Sequence, residues 1–505
     1  MNIKNIKYLM RKIMNWKKLQ NGSDIRGIAL EGVPNENVNL TAEATTVIAK
    51  AFITWLCKRL GTDDVNLAIG VDSRISGPAL KEAFIKGVTE VGHTIYDCGL
   101  ASTPAMFMTT IDKNRPVHGG VMITASHLPF NRNGIKFFTK DGGLEKEDIA
   151  EILKYAEEGN LPEPKVGGVV IPYKFMDKYV AHLVDYIRIA AGSSTPLSGM
   201  HIIVDAGNGG GGFFAKVLEQ LGANTAGSQF LDPDGRFPNH IPNPENKEAM
   251  ASICAAVVKN KADIGIIFDT DVDRSAIVDK NGESINRNSL IALIADVILR
   301  EHPKSTVVTD SVTSDGLADF ITVRGGRHHR FRRGYRNVID EGIRLNNSGE
   351  ECWLAIETSG HAALRENYFL DDGAYLVAKL LVEAARQRKE GGELQNLIED
   401  LKQPVESTEV RFTINLEDFK PYGQQVLDEV AEAVKSEAGW NIVEPNYEGI
   451  RVSCTNGDEQ GWFLLRLSLH DPVLPLNIES NVKGGVKKIS NRLFNILSKY
   501  DKLEK

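Results

Sequence analysis

No run of about 18 apolar residues occurs anywhere in this 505-residue chain, so no membrane-crossing helix and no membrane partner is expected. Cysteine is scarce and scattered: Cys57, Cys98, Cys254, Cys352 and Cys454. Five is an odd number and no two form a C-x-x-C pair, which argues against a disulfide framework or a structural zinc site and for a reducing compartment. An excess of positive charge is also lacking. Lys plus Arg is 59 against 67 for Asp plus Glu, a net charge of −8, so broad nucleic-acid binding is not expected. Low-complexity tracts are absent. What remains is ordinary globular material, 42% hydrophobic and 25% charged, enough for several cores. At roughly 100–200 residues per domain, three or four domains are expected.

The first 22 residues carry Lys4, Lys7, Arg11, Lys12, Lys17 and Lys18 and no acid. They hold no Ser or Thr and no apolar core long enough for secretion. They read as a basic helix or tail rather than a targeting segment. A cytoplasmic location is the expectation and an organellar one the alternative.

Three places repeat one pattern. Apolar, β-branched runs end in Asp72, Asp205 and Asp310, each followed by small or polar residues and then helical periodicity. Each reads as a buried parallel strand, a turn and a helix. The fold class is therefore α/β, with three tandem related α/β domains. Helices are expected over 176–192 and 288–301, and the turn formers of 192–199 mark a boundary. After residue 400 the pattern changes to a strand over 407–415, a helix over 423–438 and strands with turns over 450–480. That is a smaller C-terminal α+β domain. The expected domains are 1–192, 193–302, 303–405 and 406–505.

Four segments hold residue types suited to chemistry. In the first, a buried strand runs into Thr124, Ala125, Ser126 and His127, and a polar turn leads to a second strand carrying Lys136. Ser126 there is either a surface hydroxyl or a nucleophile, which would need activation by groups such as His127 and Lys136. In the second, a strand delivers Asp269, Asp271 and Asp273 at alternate positions, then Arg274. Extended backbone would space these carboxylates roughly 6–7 Å apart on one side, and a curled loop would bring them closer. Three clustered carboxylates repel unless a cation sits among them, and hard oxygen donors suit Mg²⁺. The calcium-loop pattern, with Gly at its sixth and Glu at its twelfth position, is not met. A solvated acidic turn is the plain alternative.

In the third, Glu357, Ser359 and His361 surround a Gly turn. A carboxylate with hydroxyl and imidazole neighbours suits vicinal sugar hydroxyls, and His361 can exchange a proton near neutral pH. A structural turn is equally compatible. Asp371, Asp372 and Gly373 follow and read as a helix N-cap. In the fourth, Arg466, Ser468 and His470 alternate and suit a phosphate clamp or the face of an edge strand. The Gly-rich turn 205–212 lacks the P-loop Lys and reads as structural. The basic run 324–336, including Arg336, reads as a loop that meets a phosphorylated substrate.

Taken in order, these segments resemble the α-D-phosphohexomutase superfamily of phosphoglucomutases and phosphomannomutases, and within it a plant and bacterial branch. Asp24 to Gly27 is similar to its opening motif, Thr124 to His127 with Lys136 to its phosphoserine loop, Asp269 to Arg274 to its metal loop and Glu357 to His361 to its sugar loop. Asp234 to Glu245 resembles a further family signature. Leu128 stands where Asn is usual, Ser23 where Tyr is usual, and the last loop departs from R-x-S-G-T-E-P.

The resemblance implies a heart-shaped molecule around a central cleft. It implies that Ser126 carries a phosphoryl group and that Mg²⁺ is held by Asp269, Asp271, Asp273 and an oxygen on Ser126. Arg26, Lys136 and Arg274, with His127, would surround the transferring group, and His361 would carry a proton. Glu357, Ser359, His361 and Arg336 would bind the sugar phosphate, and Arg466, Ser468 and His470 its other phosphate. The implied reaction moves phosphate between C1 and C6 of glucose or mannose phosphates through a hexose 1,6-bisphosphate. Phosphoglucosamine mutase or bisphosphate-forming activity, a phosphatase and a non-catalytic sugar-phosphate sensor are the alternatives.

Overall fold

The computed structural model describes residues 14–468 and 471–505. Lys4, Lys7, Arg11 and Lys12 of the basic N-terminal segment lie outside the described residues, and so does His470. Lys17 and Lys18 fall in a 3-10 turn, Trp16–Leu19, which buries Trp16 and Leu19. Contacts divide the chain into two compact units, Met1–Asn286 with Ser359–Gln395, and Arg287–Thr358 with Asn396–Lys505.

In the first unit, Asn66–Val71 runs parallel to Thr94–Leu100 and Gly119–Ile123. Arg132–Thr139 and Asp24–Ile28 extend this sheet antiparallel on one side, and Val169–Pro172 closes the other edge. Leu67, Ala68 and Ile69 are wholly buried. This is why the strand is continuously apolar rather than alternating. A second sheet pairs Ile202–Asp205 parallel to Ile264–Phe268. Ser275–Asp279 and Ser284–Ile285 then add to it antiparallel. The helix expected over 176–192 is Phe175–Ala191, ended by Gly192 at φ 61°. It packs on the helix Gly373–Glu390, whose residues 373–385 are all buried.

In the second unit, Thr306–Thr309 lies between Arg327–Arg330 and Cys352–Ile356, all parallel. The helix expected over 288–301 is Asn288–Glu301. The C-terminal part is a six-stranded antiparallel sheet. Helices Phe419–Val434 and Gly485–Leu497 contribute to its core. The first of these helices starts four residues before the expected 423 because Pro421 sits in its first turn, where a missing N–H costs little. The chain thus forms the expected α/β multi-domain fold. Among the described residues no helix is long and apolar enough to cross a membrane.

Candidate active site

The strand Gly119–Ile123 is wholly buried, and the chain bends through 124–131 before Arg132–Thr139 returns with Lys136 opposite Met122. Ser126 sits in this bend at φ 52°. The left-handed region costs an L-residue roughly 1–2 kcal/mol, so surrounding contacts must hold it there. One is its own N–H, which donates to Thr124 Oγ1 at 2.9 Å.

The second loop joins Ile264–Phe268 to Ser275–Asp279. The Asp269 N–H donates to the Arg274 carbonyl at 3.2 Å, and the Arg274 N–H donates to Asp269 Oδ1 at 3.2 Å. The backbone therefore curls instead of staying extended. One carboxylate oxygen from each of Asp269, Asp271 and Asp273 lies within 4.8 Å of the others, and all three residues have no exposed surface. Val272 at the tip has φ 68°, an outlying conformation for a β-branched residue. The Gly-rich turn seats this loop, since the Gly210 N–H donates to the Thr270 carbonyl at 2.7 Å.

The two loops meet at Ser126. Its hydroxyl donates to Asp269 Oδ2 at 2.9 Å and accepts from Arg274 Nη2 at 2.7 Å. Arg274 Nη2 also donates to His127 Nδ1 at 2.6 Å. Accepting there requires an unprotonated Nδ1. Burial, then the charges of Arg274 and Arg26, push the His127 pKa down to about 2. Lys136 Nζ donates to Asp273 Oδ2 at 2.6 Å and lies 3.5 Å from Asp271 Oδ2. Arg26 stands opposite Gly134 on the neighbouring strand and pairs with Asp24 at 3.0 Å.

Burial, then the charge of Asp273, raises the Asp269 carboxyl well above its ordinary range. Asp273 is held below that range: burial opposes this, but Lys136, His361 and Arg274 outweigh it. His361 and Arg274 form an isolated backbone bridge. The His361 imidazole Nδ1 lies 2.6 Å from Asp371 Oδ2 and 3.9 Å from Asp273 Oδ1. Burial disfavours its charge, but Asp371 and Asp273 overcome it and raise the pKa to about 9. Ser359 is buried in the same unit. Asp372 does cap the helix Gly373–Glu390, accepting from the Tyr375 N–H at 2.9 Å. A Cβ on Gly373 would lie 2.7 Å from the Arg274 backbone.

The second unit holds a separate group. Glu357 Oε1 accepts from the Gly334 N–H at 2.6 Å. Glu448 accepts from the Ser311 hydroxyl and, at 3.1 Å, from the Arg333 N–H, and it lies 3.9 Å from Arg466 Nη1. Arg336 instead pairs with Asp340 on its own helix at 3.1 Å. The Ser468 hydroxyl accepts from the Asp471 N–H at 3.2 Å. Arg333 belongs to the basic run 324–336 read from the sequence, whereas sequence reasoning missed Glu448. It also missed Asp371 as a partner of His361, and Thr103, whose hydroxyl donates to Asp271 Oδ2 at 2.5 Å.

Three α/β/α domain families of phosphoglucomutase/phosphomannomutase match in succession: domain I over residues 17–162, domain II over 177–282 and domain III over 286–404. A phosphoglucomutase of Neisseria gonorrhoeae is 30% identical over 470 residues, 93% of this chain and 94% of that protein. The chain belongs to the phosphoglucomutase/phosphomannomutase family. Its members are phosphohexomutases, which are isomerases. A phosphomannomutase/phosphoglucomutase of Pseudomonas syringae pv. tomato is also 30% identical, over 92% of each chain. The crystal structure of a family protein from Burkholderia thailandensis superposes with a TM-score of 0.79 at 26% identity, covering 96% of this chain and 98% of that one.

The aspartate trio fits a hard divalent cation. Asp271 Oδ1 and Asp273 Oδ1 are buried without a hydrogen-bond partner. Such oxygens are costly unless a cation meets them. The donors are all carboxylates, the set that Mg²⁺-like ions prefer.

Proposed function

We propose that this chain interconverts the 1- and 6-phosphates of glucose, mannose or both through a phosphorylated Ser126 and a hexose 1,6-bisphosphate. The observation that carries the reading is the Ser126 hydroxyl. It is 2.9 Å from Asp269 and 2.7 Å from Arg274, on a residue held at φ 52°. The relatives named above support the sugar class. Asp269, Asp271 and Asp273 would hold Mg²⁺, which when bound supplies charge stabilisation to the phosphoryl oxygens.

The chain's own residues do the rest. Arg274 donates to Ser126 Oγ and so lies against the oxygen that carries the phosphoryl group, where its charge offsets the charge that develops. Lys136 and Arg26 add positive charge around the same group. His127, neutral and accepting from Arg274, orients that guanidinium. The P–O bond to Ser126 breaks as a new one forms to a sugar hydroxyl, and that hydroxyl gives up a proton. The Asp371 carboxylate is the acceptor assigned to it, and His361, which Asp371 and Asp273 hold protonated, is the donor assigned to return a proton to the departing Ser126 oxygen. Glu357 and Ser359 bind sugar hydroxyls, and Arg466, Ser468, His470 and Arg336 bind phosphate. A four-domain division is also proposed, with boundaries at 192, 302 and 405; the three successive domain matches support the number of α/β domains, while the second and third matches begin at 177 and 286.

A coupled assay of glucose, mannose and glucosamine phosphates, primed with hexose 1,6-bisphosphate, tests the reading. Isomerisation of glucose or mannose phosphate is expected. Release of inorganic phosphate without isomerisation would contradict it in favour of a phosphatase.

A further inference from the structure

We propose that Arg74 is a positioning residue that fixes the Ser126 loop for phosphoryl transfer. The proposal rests on Ser126 being the phosphoryl carrier. Between the strands that end at Ile123 and begin at Arg132, the backbone has no ladder to satisfy it. Its carbonyls need other donors. Backbone N–H groups serve the carbonyls of Ala125 and Asn131, and Arg74, 1% exposed, serves others. Nη1 donates to the carbonyls of Pro129 at 2.8 Å and Arg132 at 3.0 Å. Nη2 donates to the carbonyls of Ser126 and Leu128. Nε lies 3.3 Å from Asp72 Oδ2. Only a planar guanidinium presents donors in directions that meet four carbonyls at once, whereas an ammonium has three donors at most. One of those carbonyls belongs to Ser126 itself, so the fork acts on the residue held at φ 52°.

Arg74 is itself held from two sides. Its N–H donates to Asp72 Oδ1 at 2.9 Å. Its guanidinium lies 5.3 Å from the centre of the Phe237 ring. Phe237 belongs to the signature segment Asp234 to Glu245, which the proposed chemistry leaves unused. Gly235 in that segment touches the turn bearing Arg74, and a Cβ there would lie 2.5 Å from the Ser73 carbonyl oxygen. Farther along, Asn243 Oδ1 accepts from Arg274 Nη1 at 3.3 Å. One segment therefore backs both arginines that fix Ser126, one through its carbonyl and one through its hydroxyl.

A displacement of about 1 Å in a reacting group can cost roughly a hundredfold in rate. Arg74→Lys keeps the charge and loses the fork. In the full-length enzyme, folding being checked by circular dichroism and melting temperature, kcat is expected to fall roughly a hundredfold. KM for hexose 1-phosphate should stay within about threefold, because the assigned sugar-binding residues are untouched. A folded Arg74→Lys enzyme with kcat within threefold of wild type, or with only KM changed, would overturn the proposal. If Arg74→Lys does not fold, isosteric Asp72→Asn carries the test. It should lower kcat about fivefold at constant KM, and an unchanged kcat would overturn the proposal. Ser126→Ala run alongside separates the two layers. If that variant is dead while Arg74→Lys is normal, this inference alone fails. If Ser126→Ala turns over normally, the underlying reading fails and takes this inference with it.

Discussion

Ser126 and the aspartate trio carry the sharpest predictions at the residue scale. Ser126 Oγ is the atom that Asp269 and Arg274 both address. Ser126→Ala should therefore lower kcat by more than about a thousandfold while leaving the melting temperature within a few degrees; steady-state kinetics and a thermal scan check both. Asp271→Asn removes one charge from the trio but keeps its volume. The variant should need at least about tenfold more Mg²⁺ for half-maximal activity, and an unchanged metal titration would count against that role. The trio was readable from the sequence because alternate carboxylates at the end of an apolar strand have few structural uses. Ser126 was less readable: a hydroxyl at the end of a buried strand, beside His127, is as compatible with a plain surface serine, and the family resemblance singled it out. Arg74 and Thr103 were not readable. A lone Arg or Thr after a strand carries no pattern, and its importance comes from backbone carbonyls and carboxylates far away in sequence.

At the scale of elements, strands and helices were easier to read than their contacts. The three Asp-ended apolar runs became parallel strands, because burial on both faces writes a continuous apolar string. The helix at 419–434 was misplaced by four residues, since a proline reads as a breaker unless its place in the first turn is known. One strand also makes a pH prediction. Glu479 on Val473–Ser480 accepts from Trp462 Nε1 at 2.9 Å. Burial raises its pKa to about 7, with the Trp462 hydrogen bond and Arg451 opposing. A carboxyl raised in the folded state contributes stability below its ordinary value of 4.5, and that contribution is lost as pH rises to about 7. Discounted for its partial exposure, the loss should be on the order of 1–2 kcal/mol. Glu479→Gln keeps the acceptor and should flatten the melting-temperature profile between pH 4.5 and 7. A profile identical to wild type would contradict the assignment.

For the whole molecule, the sequence announced its family through the order of four short segments, while the physical reason for each was local. The residues proposed to handle the phosphoryl group, Ser126, Lys136, Arg274 and the trio, come from segments far apart in sequence, yet all belong to the first compact unit. Glu357 and Arg466 belong to the second. A mutase of the proposed kind predicts that phosphate resides covalently on the first unit between turnovers, whatever sugar is bound. The most direct measurement uses hexose 1,6-bisphosphate labelled with ³²P, followed by rapid quenching and peptide mapping. Label on Ser126, lost into hexose phosphate as fast as turnover, is the predicted result. An enzyme that isomerises hexose phosphates while Ser126 stays unlabelled would contradict it.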